Sequence, residues 1–415
     1  MKIIKIILFG IFLFPLFSLL SRESKNEFWG FYAHKLINRM AVFTLPGDLI
    51  EFYKSNIDFI SDHAVDPDKR RYAVKGEAIR HYIDLDHWDV DGVNSVPKDF
   101  VTALIQFNHF YLICKESKML LFDSISNGVI NEDSLFYTKE VIAKFKPFQT
   151  GISKKELKHI FLKAAMPFYD EELWRMPSAS FMKLVPFIEQ EDFIEIDDRF
   201  SPHGILPYNL ERVYYQLIEA FKSKNKERIL KLSADIGHYV GDAHVPLHTT
   251  KNYNGQLTKQ DGIHAFWESR IPELFAEAEF DFVVGAASYV PNIKTFIWDI
   301  IEASHQGVAL VLGMEKSLSE ETAPDQHYCY DERLGVITKI QCREYSKKYH
   351  ELLDYQVEDR MRASILNLGS IWMSAWVEAG QPILIFNSEN FPIEDSTKED
   401  STLLKNNRFQ IREHE

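Results

Sequence analysis

Three stretches of this chain repeat apolar residues with the 3.6-residue period of an α-helix: LERVYYQLIEAF (210–221), ERILKLSADIGHYVGDA (227–243) and VEDRMRASILNLGSIWMSAW (357–376). A segment with that period buries one stripe of its surface, whereas a half-buried strand would alternate apolar and polar positions. Short alternating runs are scarce. Punctuation agrees, because Pro207 and Asn209 precede the first stretch, Pro246 closes the second, and Gly380 with Pro382 follows the third. The chain is therefore expected to be all-α, a multi-helix bundle. Its 415 residues are 46% hydrophobic and 26% charged, which supplies a sizeable core and excludes a disordered, collagenous or disulfide-scaffold protein. A formal net charge of -14 argues against broad, nonspecific nucleic-acid binding but leaves room for an enzyme with a local basic pocket.

Residues 1–27 read as an export signal, or as a membrane anchor if they are not cleaved, because Lys2 and Lys5 precede an apolar run that ends near Leu20. That run is about fifteen residues, short for a full span. The expected location is periplasmic or secreted. Residues 28–386 form the functional domain. Within it, about 90–200 is less regular, broken by Gly92, Pro97, Pro147, Gly151, Pro177 and Pro186, and reads as a helical insertion with a solvated acidic loop at 189–198. Residues 387–415 have few core-forming side chains and are expected to be a disordered tail. No internal repeat is evident. Only three cysteines occur, Cys114, Cys329 and Cys342, without a CxxC pair, so any metal takes nitrogen and oxygen ligands. Cys329 and Cys342 could pair and leave Cys114 single, but sequence separation does not decide geometry.

The chemistry-bearing residues are grouped. HYVGDAHVPLH puts His238 and Asp242 on one helix face, and His248 leaves the helix end on another vector after Pro246. His244 faces away. GIHAFWESRIPELF repeats the spacing with His264 and Glu268. Taken alone, such a pair is more often a helix hydrogen bond than a metal site. Two pairs within about thirty residues, joined by His248, favour a metal, since imidazole and carboxylate form the zinc ligand set. Upstream, Asp66 lies fifteen residues before His81, and Trp29 five before His34. Each is weak by itself, because an Asp before Pro is usually a turn residue and a His beside Tyr82 is usually core. The cations Arg70, Arg71, Lys75 and Arg80 read as a solvated face, with phosphate contact as the rival reading. His63 and His203 read as ordinary polar residues or partners that orient ligands. Phe266, Trp267 and Tyr253 are more often core than a base-stacking or headgroup surface.

Together these segments closely resemble the superfamily of bacterial zinc-dependent phospholipases C and fungal and plant single-strand-specific nucleases, over about 29–90 and 200–275, with a weaker echo at 365–376. The pattern is Trp-x4-His, an Asp about fifteen before a His, then H-x3-D-x5-H and H-x3-D/E. The resemblance implies an all-helical zinc phosphodiesterase with one ion on Asp66, His81, His238 and Asp242 and a second on His248, His264 and Glu268. A third would sit on the Trp29 amine and carbonyl, His34 and Asp242. Asp66 is the implied catalytic base. Glu268 matches the phospholipases and Trp267 the nucleases, and the interval from His81 to His238 is longer than the family's. Chelation by Trp29 needs a free amine, yet Asn26, Glu27 and Phe28 are poor signal-peptidase residues, so two zinc ions are expected and the third depends on processing. Phospholipid is the expected substrate, bringing the protein to a membrane surface, with single-stranded DNA or RNA as the alternative. No protein partner is expected, and a non-catalytic metal-binding protein is the rival from another class.

Overall fold

In the computed structural model the helix Lys226–His244 is the axis of the fold. The Asn225 side chain accepts from the Arg228 N–H to start it, and Val245, held extended ahead of Pro246, ends it. Every residue from Ser233 to His244 is buried. A helix buried all round must be covered on all sides. The covering elements are the helices Phe31–Ala41, Ile57–Asp62, Leu206–Lys222, Ile293–Gln306 and Gln356–Glu378. The structure describes residues 31–88, 96–114, 117–123, 134–169, 174–182, 185–189, 191–333 and 336–385. The expected signal segment, Trp29 and the tail lie outside them. Among the described residues no helix is long and apolar enough to cross a membrane.

Two glycines permit a close helix contact. Gly237 and Gly241, one turn apart, face the helix Phe31–Ala41: a Cβ at Gly237 would lie 2.0 Å from Asn38 Oδ1, and one at Gly241 2.7 Å from His34 Nδ1. Asn38 has little freedom to retreat, because its Nδ2 donates to the Ile60 and Ala234 carbonyls at 3.1 Å each. The absence of a side chain at these two positions is what lets His34 reach the central helix.

The insertion is not purely helical. Its strands are β1 (His109–Cys114), β2 (Ser117–Leu120), β3 (Ser134–Phe136), β4 (Gly151–Ser153), β5 (Arg175–Pro177) and β6 (Phe193–Asp197). They form an antiparallel sheet in the order β2-β1-β6-β5 and a separate β3-β4 pair. Register pairs Phe110 with Ile196 and Leu112 with Ile194, and all four side chains are buried. The stretch 189–198 is therefore no solvated loop: FIEID alternates as a strand should, and its two isoleucines enter the core. A further hairpin, β7 (Tyr328–Arg333) and β8 (Val336–Gln341), belongs to the body and is tied by a Cys329–Cys342 disulfide, leaving Cys114 free and half-buried. The protein is thus mainly helical rather than all-α. Buried side chains of body and insertion nevertheless form one apolar cluster, running from Ala33 through Phe110, Phe161 and Trp174 to Ala375.

In an open helix interior Gly→Ala stabilises by up to about 1 kcal/mol. Gly237→Ala should instead destabilise by about 1–3 kcal/mol through overpacking against Asn38, so thermal unfolding checks the sign as well as the size.

Candidate metal centre

The central helix presents His238 and Asp242 to one side, as their four-residue spacing requires. Asp242 is the hub. Its Oδ2 lies 3.3 Å from His238 Nε2 and 3.0 Å from His81 Nδ1, while its Oδ1 lies 3.5 Å from His34 Nε2 and 4.0 Å from His248 Nε2. Residues Pro246–Thr249 form a short 3₁₀ turn after the helix and swing His248 toward a second carboxylate, Glu268. Glu268 Oε2 is 3.3 Å from His248 Nε2 and 2.7 Å from His264 Nε2, and its Oε1 is 3.2 Å from His34 Nε2. Glu268 sits in a π turn, Phe266–Arg270, set between the helical segments Ile263–Ala265 and Ile271–Glu279. Pro272 has no N–H to offer the Glu268 carbonyl and its ring would crowd that oxygen. The helix widens there, and the Ile271 N–H bonds Phe266 O instead.

The ligand atoms converge in three groups among the described residues: His34 with His238 and Asp242; Asp68 with His81 and His238; His248 with His264 and Glu268. Seven of the expected ligands, His34, His81, His238, Asp242, His248, His264 and Glu268, are brought together. Asp66 is not. Its carboxylate is taken by His63 at 2.6 Å and Lys69 at 3.0 Å, and the carboxylate facing the histidines is that of Asp68, 3.7 Å from His81 and 3.6 Å from His238. The correction has a simple cause. Both aspartates lie on the short helix Asp66–Arg70, where two residues turn by about 200°, so they point to opposite faces. Arg71, 3% exposed, lies 3.4 Å from Asp68 and marks the inner face.

Of the cations around it, Arg70, Arg71 and Arg80 are likewise not a solvated face, whereas Lys75 is exposed as expected. Arg70 grips Asp235 with two hydrogen bonds of 3.2 and 3.0 Å, and Arg80 holds Glu77 at 2.7 Å. Glu77, itself buried, accepts from the Tyr239 hydroxyl and stands 3.9 Å from His81 Nε2, the nitrogen turned away from the cluster. Of the other histidines, His244 faces away as expected, with Nδ1 on the Val240 carbonyl at 2.7 Å and Nε2 beside Asn367 at 2.9 Å. His63 packs on Phe59 beside Asp66, and His203 stacks on His87 and pairs with Asp84. Phe266 and Trp267 are core side chains, with the Trp267 indole N–H on Gln356.

The donor set fits metal ions. His238 Nδ1 donates to the Ala64 carbonyl at 2.9 Å and His248 Nδ1 donates to the His81 carbonyl, so each ring, once its Nε2 proton is displaced, turns that lone pair toward the cluster. Those lone pairs meet other imidazole nitrogens, His81 Nδ1 at 3.0 Å and His264 Nε2 at 3.1 Å, an arrangement that a shared cation satisfies. Electrostatics agree. Burial works against charge on Asp242 and Glu268, yet His238 and His248 hold Asp242, and His248 and His264 hold Glu268, well below the usual carboxylate range. Burial likewise opposes a charged His238, but Asp242 and Asp68 push it up to about 9, whereas burial takes His81 down to about 4. These buried His, Asp and Glu groups can hold metal ions. The side chains of Asp68 and Glu268 keep 23% and 13% exposure, which makes them the cluster's open edge. No protein-family model matches the chain, and no curated protein matches it either.

Asp68→Ala should lose bound metal, with Asp66→Ala retaining it, as elemental analysis of the metal-replete proteins would read. A divalent ion at His238 must displace the proton that its raised pKa retains. Metal uptake at pH 7 should therefore release protons and strengthen as pH rises toward about 9, a dependence that calorimetry in two buffers of different ionisation heat resolves.

Proposed function

We propose that this protein is an exported, zinc-dependent phosphodiester hydrolase acting on phospholipid in the manner of a phospholipase C. The observation that carries the reading is the convergence of five histidines with Asp68, Asp242 and Glu268 around two shared carboxylates. Nitrogen and oxygen donors without thiolate suit zinc. Closely spaced divalent ions supply Lewis-acid stabilisation of phosphoryl oxygens and lower the pKa of water. The chain's own part is to hold the donors rigidly: the central helix fixes His238 and Asp242, the Glu77, Arg70 and Arg80 group backs His81, and Gly241 admits His34. Asp68 replaces Asp66 as the proposed base, because it lies at the open edge and outside both helical His–carboxylate pairs, where it can orient a water and take its proton. Its contacts with Arg71, His81 and His238 keep it ionised although burial opposes this.

Phospholipid is favoured over single-stranded nucleic acid by the burial of Phe266 and Trp267, which removes two of the three rings able to stack a base. Export is supported by the Cys329–Cys342 disulfide, a bond suited to an oxidising compartment. With zinc, the full chain should release phosphocholine from phosphatidylcholine, and chelation should abolish this. Asp68→Asn should lower turnover by about 10²–10⁴-fold, the range for a lost general base, and Asp242→Ala should lose both metal and activity. Measuring phosphatidylcholine and single-stranded DNA side by side tests the substrate: rapid DNA cleavage with no lipid turnover would replace this reading with a nuclease.

A further inference from the structure

The insertion is net acidic as a whole, but one of its turns carries an exposed aromatic ring with exposed lysines close to it in sequence. Within residues 134–169 seven lysines stand against two glutamates, although Glu132, Asp133, Asp170, Glu171 and Glu172 flank that stretch and balance its charge. The helix Lys139–Phe145 ends at Lys146, which takes a left-handed conformation (φ 47°) and turns the chain out through residues 147–150 before β4. Phe148, on that turn, has a relative accessibility of 103%, so its ring is wholly in solvent. Lys139, Lys144, Lys146 and Lys155 are exposed on the same stretch, and among the described residues none of the four pairs with a carboxylate. Lys144 instead leans over the Phe145 ring and toward Ser117 Oγ. Beside Phe148 lies a hollow of about 520 Å³ lined by Tyr137, Pro147, Gln149, Ile152, Pro186 and Phe187, its wall as polar as it is apolar; Glu156 is the one acid on it.

We propose that this turn is an anchor for an anionic lipid bilayer: Phe148 enters the boundary between headgroups and acyl chains, and the four lysines meet lipid phosphates. An exposed ring flanked in sequence by cations that have no carboxylate partner is complementary to such a surface, since the ring gains burial while each lysine that reaches the surface gains electrostatic attraction. A single-stranded nucleic acid fits less well, because it calls for a cationic groove with several rings to stack its bases, whereas Phe148 is one ring on an exposed turn. The anchor rests on the insertion alone and does not depend on the metal cluster or on the hydrolase reading.

The test uses the full chain treated with chelator, so that binding is read without turnover, and sediments it with vesicles of phosphatidylcholine alone or of equal parts phosphatidylcholine and phosphatidylglycerol. Wild-type protein should bind the mixed vesicles, more weakly as salt is raised, and bind pure phosphatidylcholine poorly. Phe148→Ala should weaken binding about tenfold, from the lost burial of one aromatic ring. The Lys144→Glu, Lys146→Glu double variant should weaken it by at least about 25-fold, given roughly fivefold for each lysine near the surface. All three positions are exposed, so the variants should keep the wild-type circular dichroism. Absence of wild-type binding, or binding unchanged in both variants, overturns the proposal. So does a single-stranded oligonucleotide that binds the wild type and is lost in the same variants.

Discussion

A buried carboxylate in the last turn of the central helix is the constraint on which the body of this protein turns. Asp242 is 1% exposed, and removing a charge from water costs several kcal/mol even after relaxation. The surrounding chain answers that cost with positive or polarisable groups: His238 from the same helix, His34 from the first described helix, His81 from the loop after Arg80, and His248 from the turn beyond Pro246. Four separate segments are thereby tied to one oxygen pair. The packing follows from this, because helices that must deliver imidazoles to a common point cannot slide, and Gly237 and Gly241 remove the side chains that would keep the nearest one away.

Behind the cluster lies a second layer that the charge pattern hid. Arg70, Arg80, Asp235, Glu77 and Tyr239 satisfy one another in a partly to fully buried network, and Glu77 faces the outer nitrogen of His81. At 3.9 Å this carboxylate makes no hydrogen bond to that nitrogen, and its influence on the ring is electrostatic. In sequence the same residues look like an ordinary salt-rich surface, because a list of charges says nothing about which of them face inward.

The helices and most of the donor set were legible because both rest on short, regular spacings: 3.6-residue periodicity for the helices, and four-residue His–carboxylate intervals for the ligands. What could not be read from spacing was lost. Asp66 and Asp68 both precede His81 at plausible distances, and only the helical phase of a five-residue helix, with Arg71 alongside, selects Asp68. The sheet in the insertion was missed for a related reason. Strands of three to six residues carry too few alternations to stand out, and in FIEID the acidic positions drew the eye away from the two buried isoleucines. The Cys329–Cys342 bond depended on a hairpin register that no spacing announces.

The π turn at Phe266–Arg270 separates two demands that a regular helix would lock together. Ahead of it and within it, His264 and Glu268 address the candidate metal centre; downstream, Ile271, Phe275 and Ala276 address the apolar core. One additional residue in the turn shifts the phase between these two faces by about 100° relative to an uninterrupted α-helix. The turn thus works as a fixed phase adjuster, and its length matters quite apart from its composition. Deleting a single residue there would leave both faces chemically intact and yet never allow them to be seated at the same time.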